Sequence, residues 1–201
     1  MDEALAQHIA AQGLARLRRL RLIGLWLGFG LAAAGAWLAV GEYRLAGLAR
    51  AEAREISRQE NLTAVMDMKF LADTVYLAKI RRQALLNDII GSPGTAQACA
   101  GQEDARGLPA DHPCGLAWLE SLDRVWQAAY PQGGPPIEDR LKRDPWGSPY
   151  FLAANEYGCG LVPAYPDWCP TDLVNSAGPD GRPGTADDLT EIVPNYLKIQ
   201  K

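Results

Sequence analysis

The rhythm of apolar and polar positions changes four times along the chain. Residues 1–21 mix short apolar pairs with charge and end in a basic run, Arg16, Arg18, Arg19 and Arg21. Residues 22–40 then carry no charge at all, with Trp26 and Trp37 toward the two ends. An uncharged run of this length spans roughly 30 Å of hydrocarbon as a helix, and tryptophan suits the two membrane interfaces. From Leu45 to Ile90 there is no proline, glycine occurs only at Gly47, and helix formers dominate. The spacing predicts that helix continues over 41–90. Residues 42–60 are polar nearly all round and suit a stalk. From Leu62 onward, Leu62, Val65, Met66, Phe70, Leu77, Ile80 and Ala84 share one face at helical spacing. Lys69 and Asp73 interrupt that face as an expected i,i+4 pair. A second, narrower stripe of Met68, Leu71 and Val75 lies toward the back and reads as core rather than as a subunit interface.

Gly91-Ser92-Pro93-Gly94 predicts the end of the helix. The stretch 92–143 is loop-rich, with one amphipathic helix expected over 116–126 and ended by Gly133-Gly134-Pro135-Pro136. Three short β-prone runs follow, at 150–153, 172–176 and 190–193. A long N-terminal helix followed by a small antiparallel sheet places the chain in the α+β class. The expected organisation is a basic segment 1–21, a membrane span 22–40, a helical continuation 41–90 and an external α+β domain 91–201.

Charge fixes the expected orientation. Four arginines precede the apolar run, whereas Glu42 and Arg44 follow it. The positive-inside rule then leaves the N-terminus in the cytoplasm and residues 42–201 outside, as a single-pass protein. A cleaved signal peptide is the competing reading. Ala34-Gly35-Ala36 offers a small-x-small site, but the segment stays apolar beyond it. The net charge of −4 and the lack of a basic, aromatic-interleaved face give no support to nucleic-acid binding. All four cysteines, Cys99, Cys114, Cys159 and Cys169, lie beyond the long helical stretch. Proximity favours the pairs Cys99–Cys114 and Cys159–Cys169, which an oxidising compartment permits. Four free thiols in a reducing compartment are the alternative.

One loop concentrates chemistry. In Val174-Asn175-Ser176-Ala177-Gly178-Pro179-Asp180-Gly181-Arg182-Pro183-Gly184-Thr185-Ala186-Asp187-Asp188-Leu189, three carboxylates stand among glycines and prolines. Ca²⁺ seeks about six to eight oxygens from carboxylates, carbonyls and water. Asp180, Asp187 and Asp188, with backbone carbonyls near Ala177 and Arg182, are candidate ligands. Gly178, Gly181 and Gly184 permit the positive φ that a wrapping loop needs. The spacing is not that of an EF-hand, because the third and fifth positions counted from Asp180 are Arg182 and Gly184. An ordinary Asp-Gly turn loop on the surface is the plainer alternative.

This loop resembles the C-terminal loop of the major pseudopilin of type II secretion systems. Upstream, Asp144-Pro145-Trp146-Gly147-Ser148-Pro149-Tyr150 is similar to the Asp-Pro-Trp-Gly-Asn-Pro-Tyr that opens the sheet in that family. The two motifs stand in the family's order and cover the last quarter of the chain. The resemblance implies a pilin-like fold, a Ca²⁺ ion held at Asp180, Asp187 and Asp188, and a non-enzymatic part in a secretion apparatus alongside other pseudopilins. The N-terminus departs from the family's pattern. Its nearest match to the peptidase site is Gly28-Phe29-Gly30-Leu31-Ala32-Ala33, with Ala33 where the family has Glu. Cutting after Gly28 leaves only about 18 Å of apolar helix, too short to span. An uncleaved anchor is therefore expected. An anchored external binding module that uses the calcium-stapled fold without polymerising is the second reading. No Gly-x-Ser-x-Gly, phosphate loop or paired His/carboxylate is present, so no enzymatic role is expected. Trp146 is expected to fill the core, closing a Pro-Gly turn.

Overall fold

The computed structural model describes residues 3–92, 94–99, 101–109, 111–156 and 169–195, with backbone alone over 3–36, 38–39 and at Ala96. The chain divides into two compact units, Met1–Ile56 and Ser57–Lys201. Helix α1 (Glu3–Arg82) supplies all of the described part of the first. Every described side chain there from Trp37 to Ile56 is exposed, Tyr43, Leu45 and Leu48 included. Among the described residues no helix is long and apolar enough to cross a membrane. The side chains of the expected 22–40 span lie outside the described residues, apart from Trp37 and Val40.

The second unit is α+β: the end of α1 packs on a small three-stranded antiparallel sheet. The strands are β1 (Phe151–Ala153), β2 (Leu173–Ser176) and β3 (Leu189–Ile192), in the order β1-β2-β3. Val174 pairs with Leu152 on one side and with Glu191 on the other. Each strand lies within one residue of its expected run.

The packing face of α1 is the reverse of the one its largest side chains suggest. Ala64, Met68, Leu71, Ala72, Val75 and Ala78 are buried, whereas Leu62, Val65, Met66 and Ile80 are exposed. Phe70, Leu77 and Ala84 are half-buried. The reason is close approach. Three alanines alternate with larger residues along the buried stripe, so the helix backbone can come near its neighbours and seat Met68 and Leu71 between them. Lys69 and Asp73 are exposed and do not pair with each other.

The helix does not run to Ile90 as expected. After Ala78 the core stripe next reaches Arg82, whose charge stays at the surface, and Gln83 turns into the left-handed region at φ 50°. A separate turn of helix, α2 (Leu86–Ile90), then buries Leu85, Leu86 and Ile90 and ends at Gly91 in an αL cap.

The region 92–143 contributes to the core. Helix α3 (Pro113–Ala129) starts with Pro113 in its first turn, and the His112 ring accepts from the Cys114 amide at 3.2 Å. It buries Trp118, Leu122, Val125 and Trp126. Trp118 meets the ring of Tyr150 edge-on at 5.9 Å and donates its indole N–H to the Leu141 carbonyl at 3.2 Å. Trp146 is a correction: it is only half-buried, and its indole N–H reaches Glu60 at 3.1 Å. Trp118 and Tyr150, both essentially solvent-free, supply the aromatic core instead. The Cys99–Cys114 disulfide forms and packs with Ala105, Phe151 and Ala177. Cys169 is disulfide-bonded and buried, and Cys159 lies outside the described residues.

Candidate functional site

The aspartate loop joins β2 to β3, so both of its ends are fixed by strand pairing. Its three glycines adopt positive φ, 65° at Gly178, 68° at Gly181 and 91° at Gly184. At the first two the requirement is doubled by crowding. A Cβ on Gly178 would stand 2.3 Å from the Asp187 carbonyl oxygen, and one on Gly181 would stand 2.4 Å from Asp104 Oδ1. Only glycine lets the strand exit fold back over the second half of the loop.

That fold-back gathers the three carboxylates around one hydroxyl. Thr185 Oγ1 lies 2.6 Å from Asp187 Oδ1, 3.3 Å from both Asp180 Oδ1 and Asp188 Oδ1, and 3.1 Å from the Arg182 carbonyl oxygen. Backbone amides bond one oxygen of each carboxylate. Asp187 Oδ2 accepts from the Asp180 N–H at 3.0 Å, Asp188 Oδ2 from Gly184 at 2.7 Å, and Asp180 Oδ1 from Arg182 at 2.7 Å. The Thr185 hydroxyl, and after it the Asp180 amide, hold the Asp187 carboxyl below its usual range.

A hydroxyl carries one proton and satisfies one acceptor at a time. Four oxygens converge on that one hydroxyl, three of them from carboxylates that each also accept a backbone N–H. All are hard oxygen donors of the kind Ca²⁺ takes. As they stand the carboxylates surround the hydroxyl and are not drawn into a coordination shell: among the described residues, no three His, Cys, Asp or Glu side chains are grouped to hold a metal. The donor set fits a hard cation, and the residues that would hold one are Asp180, Asp187, Asp188 and the Arg182 carbonyl. Ala177, at the loop's start, is buried against the disulfide cluster.

Nothing in the chain's pattern singled out the brace behind this loop. Arg106 donates Nη1 to the Pro179 carbonyl at 2.7 Å, and the Ala105 amide donates to the Gly181 carbonyl at 2.8 Å. Arg106 is itself locked by Asp104, with Nε–Oδ1 at 2.9 Å and Nη2–Oδ2 at 2.7 Å. That side-chain bond draws the Asp104 carboxyl down to about 2 and raises the guanidinium in turn. Segment 104–106 lies between the two bridged cysteines, so the Cys99–Cys114 disulfide helps to hold it in place.

No protein-family model, no curated protein and no solved structure matches this chain. The functional reading therefore rests on its own residues.

Two further polar sites emerge that sequence spacing did not reveal. Asp144, in the Asp-Pro-Trp-Gly motif, is buried and accepts from Trp146 and Ser148 amides at 3.1 and 2.8 Å and from the Ser176 hydroxyl at 2.6 Å. Burial raises its carboxyl, and these bonds, Ser176 first, oppose the rise. The second site is a buried lysine, Lys79, held between Glu156 and Asp172 at 2.6 and 2.7 Å. Glu156 after β1 and Asp172 before β2 offer no local signal for this. Only the fold brings them to α1.

Proposed function

We propose that this chain is a non-enzymatic, membrane-anchored, pseudopilin-like structural component of a type II secretion or related apparatus, with a periplasmic domain stapled by Ca²⁺. The observation that carries the reading is the braced β2–β3 loop, where three aspartates and a carbonyl converge on Thr185. The packing of α1 on a small antiparallel sheet, and the two motifs that resemble the major pseudopilin, support it. Bound Ca²⁺ would supply charge neutralisation at the loop and so tie the end of β2 to the start of β3. Asp180, Asp187 and Asp188 would be its side-chain ligands, and segment 104–106 would keep their loop in shape. The anchor is expected in the inner membrane with the N-terminus cytoplasmic.

A ligand at a hundred times its Kd that binds only the folded state stabilises by about 2.7 kcal/mol. Millimolar Ca²⁺ should therefore raise the melting temperature of the detergent-solubilised full chain, and chelator should lower it. Asp187→Ala should remove the difference. Superimposable melts with and without Ca²⁺ would refute the metal reading.

The second reading, an anchored binding module that does not polymerise, is favoured by Ala33 at the position of the family's Glu. Chemical cross-linking of intact envelopes separates the two. The structural reading expects a ladder of higher multiples containing this chain; a single uncross-linked band, with a control pilin cross-linking in parallel, leaves the binding module.

A further inference from the structure

Lys79, Glu156 and Asp172 form a closed chemical group in the core. All three side chains are fully excluded from solvent. Lys79 Nζ touches Glu156 Oε2 at 2.6 Å and Asp172 Oδ2 at 2.7 Å. The other oxygen of Asp172, Oδ1, accepts two backbone amides, Asn155 N–H at 2.8 Å and Glu156 N–H at 3.1 Å. The other oxygen of Glu156, Oε1, is buried without a hydrogen-bond partner. An amine nucleophile, a carboxyl polarised by two fixed N–H donors and a second carboxyl within reach of the amine are the parts needed for acyl transfer to nitrogen. The geometry points to an intramolecular amide bond between Lys79 and Asp172, formed by the folded chain itself with Glu156 as proton carrier.

The step balances without any co-reactant. Lys79 passes a proton to the Asp172 carboxylate it touches, which leaves a neutral amine and a neutral acid. Nζ attacks Cγ of Asp172, and the charge that develops on Oδ1 is met by the Asn155 and Glu156 amides, placed as an oxyanion hole. Glu156 takes a proton from Nζ and returns one to the departing Oδ2. The Cγ–Oδ2 bond breaks, the Nζ–Cγ bond remains, one water leaves, and Glu156 ends as it began. Burial raises the Glu156 carboxyl, which keeps its acid form accessible for the return step.

Asp172 rather than Glu156 is the acyl partner because only Asp172 has amide donors on its second oxygen. In water the equilibrium would favour hydrolysis. Partners fixed in contact reach effective molarities of about 10⁵–10⁸ M, and a site closed to solvent withholds the water that hydrolysis needs. The product would strap α1 covalently to the residue preceding β2. This inference does not depend on the pseudopilin reading.

Mass spectrometry of the purified, reduced full-length chain tests it. The intact mass should be one water below the sequence mass, and proteolysis should release a branched peptide joining Lys79 to Asp172. The branch is the decisive signal, since cyclisation at Asp180-Gly181 also loses a water. Glu156→Gln and Asp172→Ala should each restore Lys79 to a linear peptide. A wild-type chain with Lys79 in a linear peptide overturns the proposal. A branch to Glu156 overturns the choice of Asp172, and a folded Glu156→Gln that keeps the branch overturns the part given to Glu156.

Discussion

Lys79→Met is expected to lower the stability of the folded chain by about 3–5 kcal/mol at neutral pH, the range seen when one partner of a buried ion pair is removed. Methionine fills similar space, so the loss is electrostatic: Glu156 and Asp172 remain at zero exposure with no cation between them. The pH dependence follows from the direction of the Glu156 shift. Its folded carboxyl is raised by burial above its ordinary value. The stability tied to its acid form is fully present below the unfolded pKa and is lost as pH rises through the folded one. Lys79 opposes that rise in the wild type, and the variant lacks it. The deficit should therefore be smallest near pH 4 and grow toward neutral. Urea midpoints of wild type and variant at both values provide the measurement. Equal midpoints at neutral pH would show that the triad contributes nothing. A deficit that shrinks in acid belongs to the ionic form; in a chain carrying the Lys79–Asp172 amide there is no cation to remove, and the deficit is that of a lost covalent strap and persists in acid. Lys79→Met combined with Glu156→Gln and Asp172→Asn should recover much of the loss, because the buried charges are then gone.

The strands were legible because each is short, β-prone and bounded by turn residues, and the pairing of 151–153 with 173–175 needs nothing beyond antiparallel neighbours. The aspartate loop was legible for a related reason. Glycines placed where φ must be positive are a local requirement; the aspartates stood out as calcium ligands, whereas their bonds to backbone amides and to Thr185 were not foreseen. The packing face of α1 was legible only in part: Met68, Leu71 and Val75 were read as core and are buried, but they stood as the narrower of two stripes. Large apolar residues outweighed Ala64, Ala72 and Ala78 in the pattern, yet small residues decide which face can approach the sheet and α3. The break after Arg82 was hidden as well, since Gln83 and Ala84 are acceptable helix residues and only the burial of Leu85 and Leu86 demands a turn. Lys79 was hidden for the deepest reason. A lysine in a basic last turn suits the helix dipole and looks solvated, and its partners lie 77 and 93 residues away.

Asp144→Ala should be the most damaging single change in the sheet-opening motif, and the reason also explains why the two motifs occur together. Asp144 Oδ2 accepts from the Ser176 hydroxyl at the end of β2, and Ser176 Oγ in turn accepts from the Gly178 amide at 3.1 Å, the first bend of the aspartate loop. The Pro-Gly turn is thus wired to the loop through one carboxylate. Alanine leaves the Ser148 amide and the Ser176 hydroxyl buried without their acceptor. Two such donors at about 1–3 kcal/mol each give an expected loss of roughly 2–6 kcal/mol. Asp144→Asn should be milder, because the amide oxygen keeps the Trp146 and Ser148 bonds and the Ser176 oxygen can accept from the new NH₂. Since burial raises the Asp144 carboxyl, the stability it contributes is full below the unfolded pKa and declines as pH rises through the folded one. Asp144→Asn should therefore compare least well with wild type in acid and best at neutral pH. Urea midpoints at about pH 4 and 7 resolve both points. An alanine variant with a wild-type midpoint would mean that the buried carboxylate organises neither the turn nor the strand it touches.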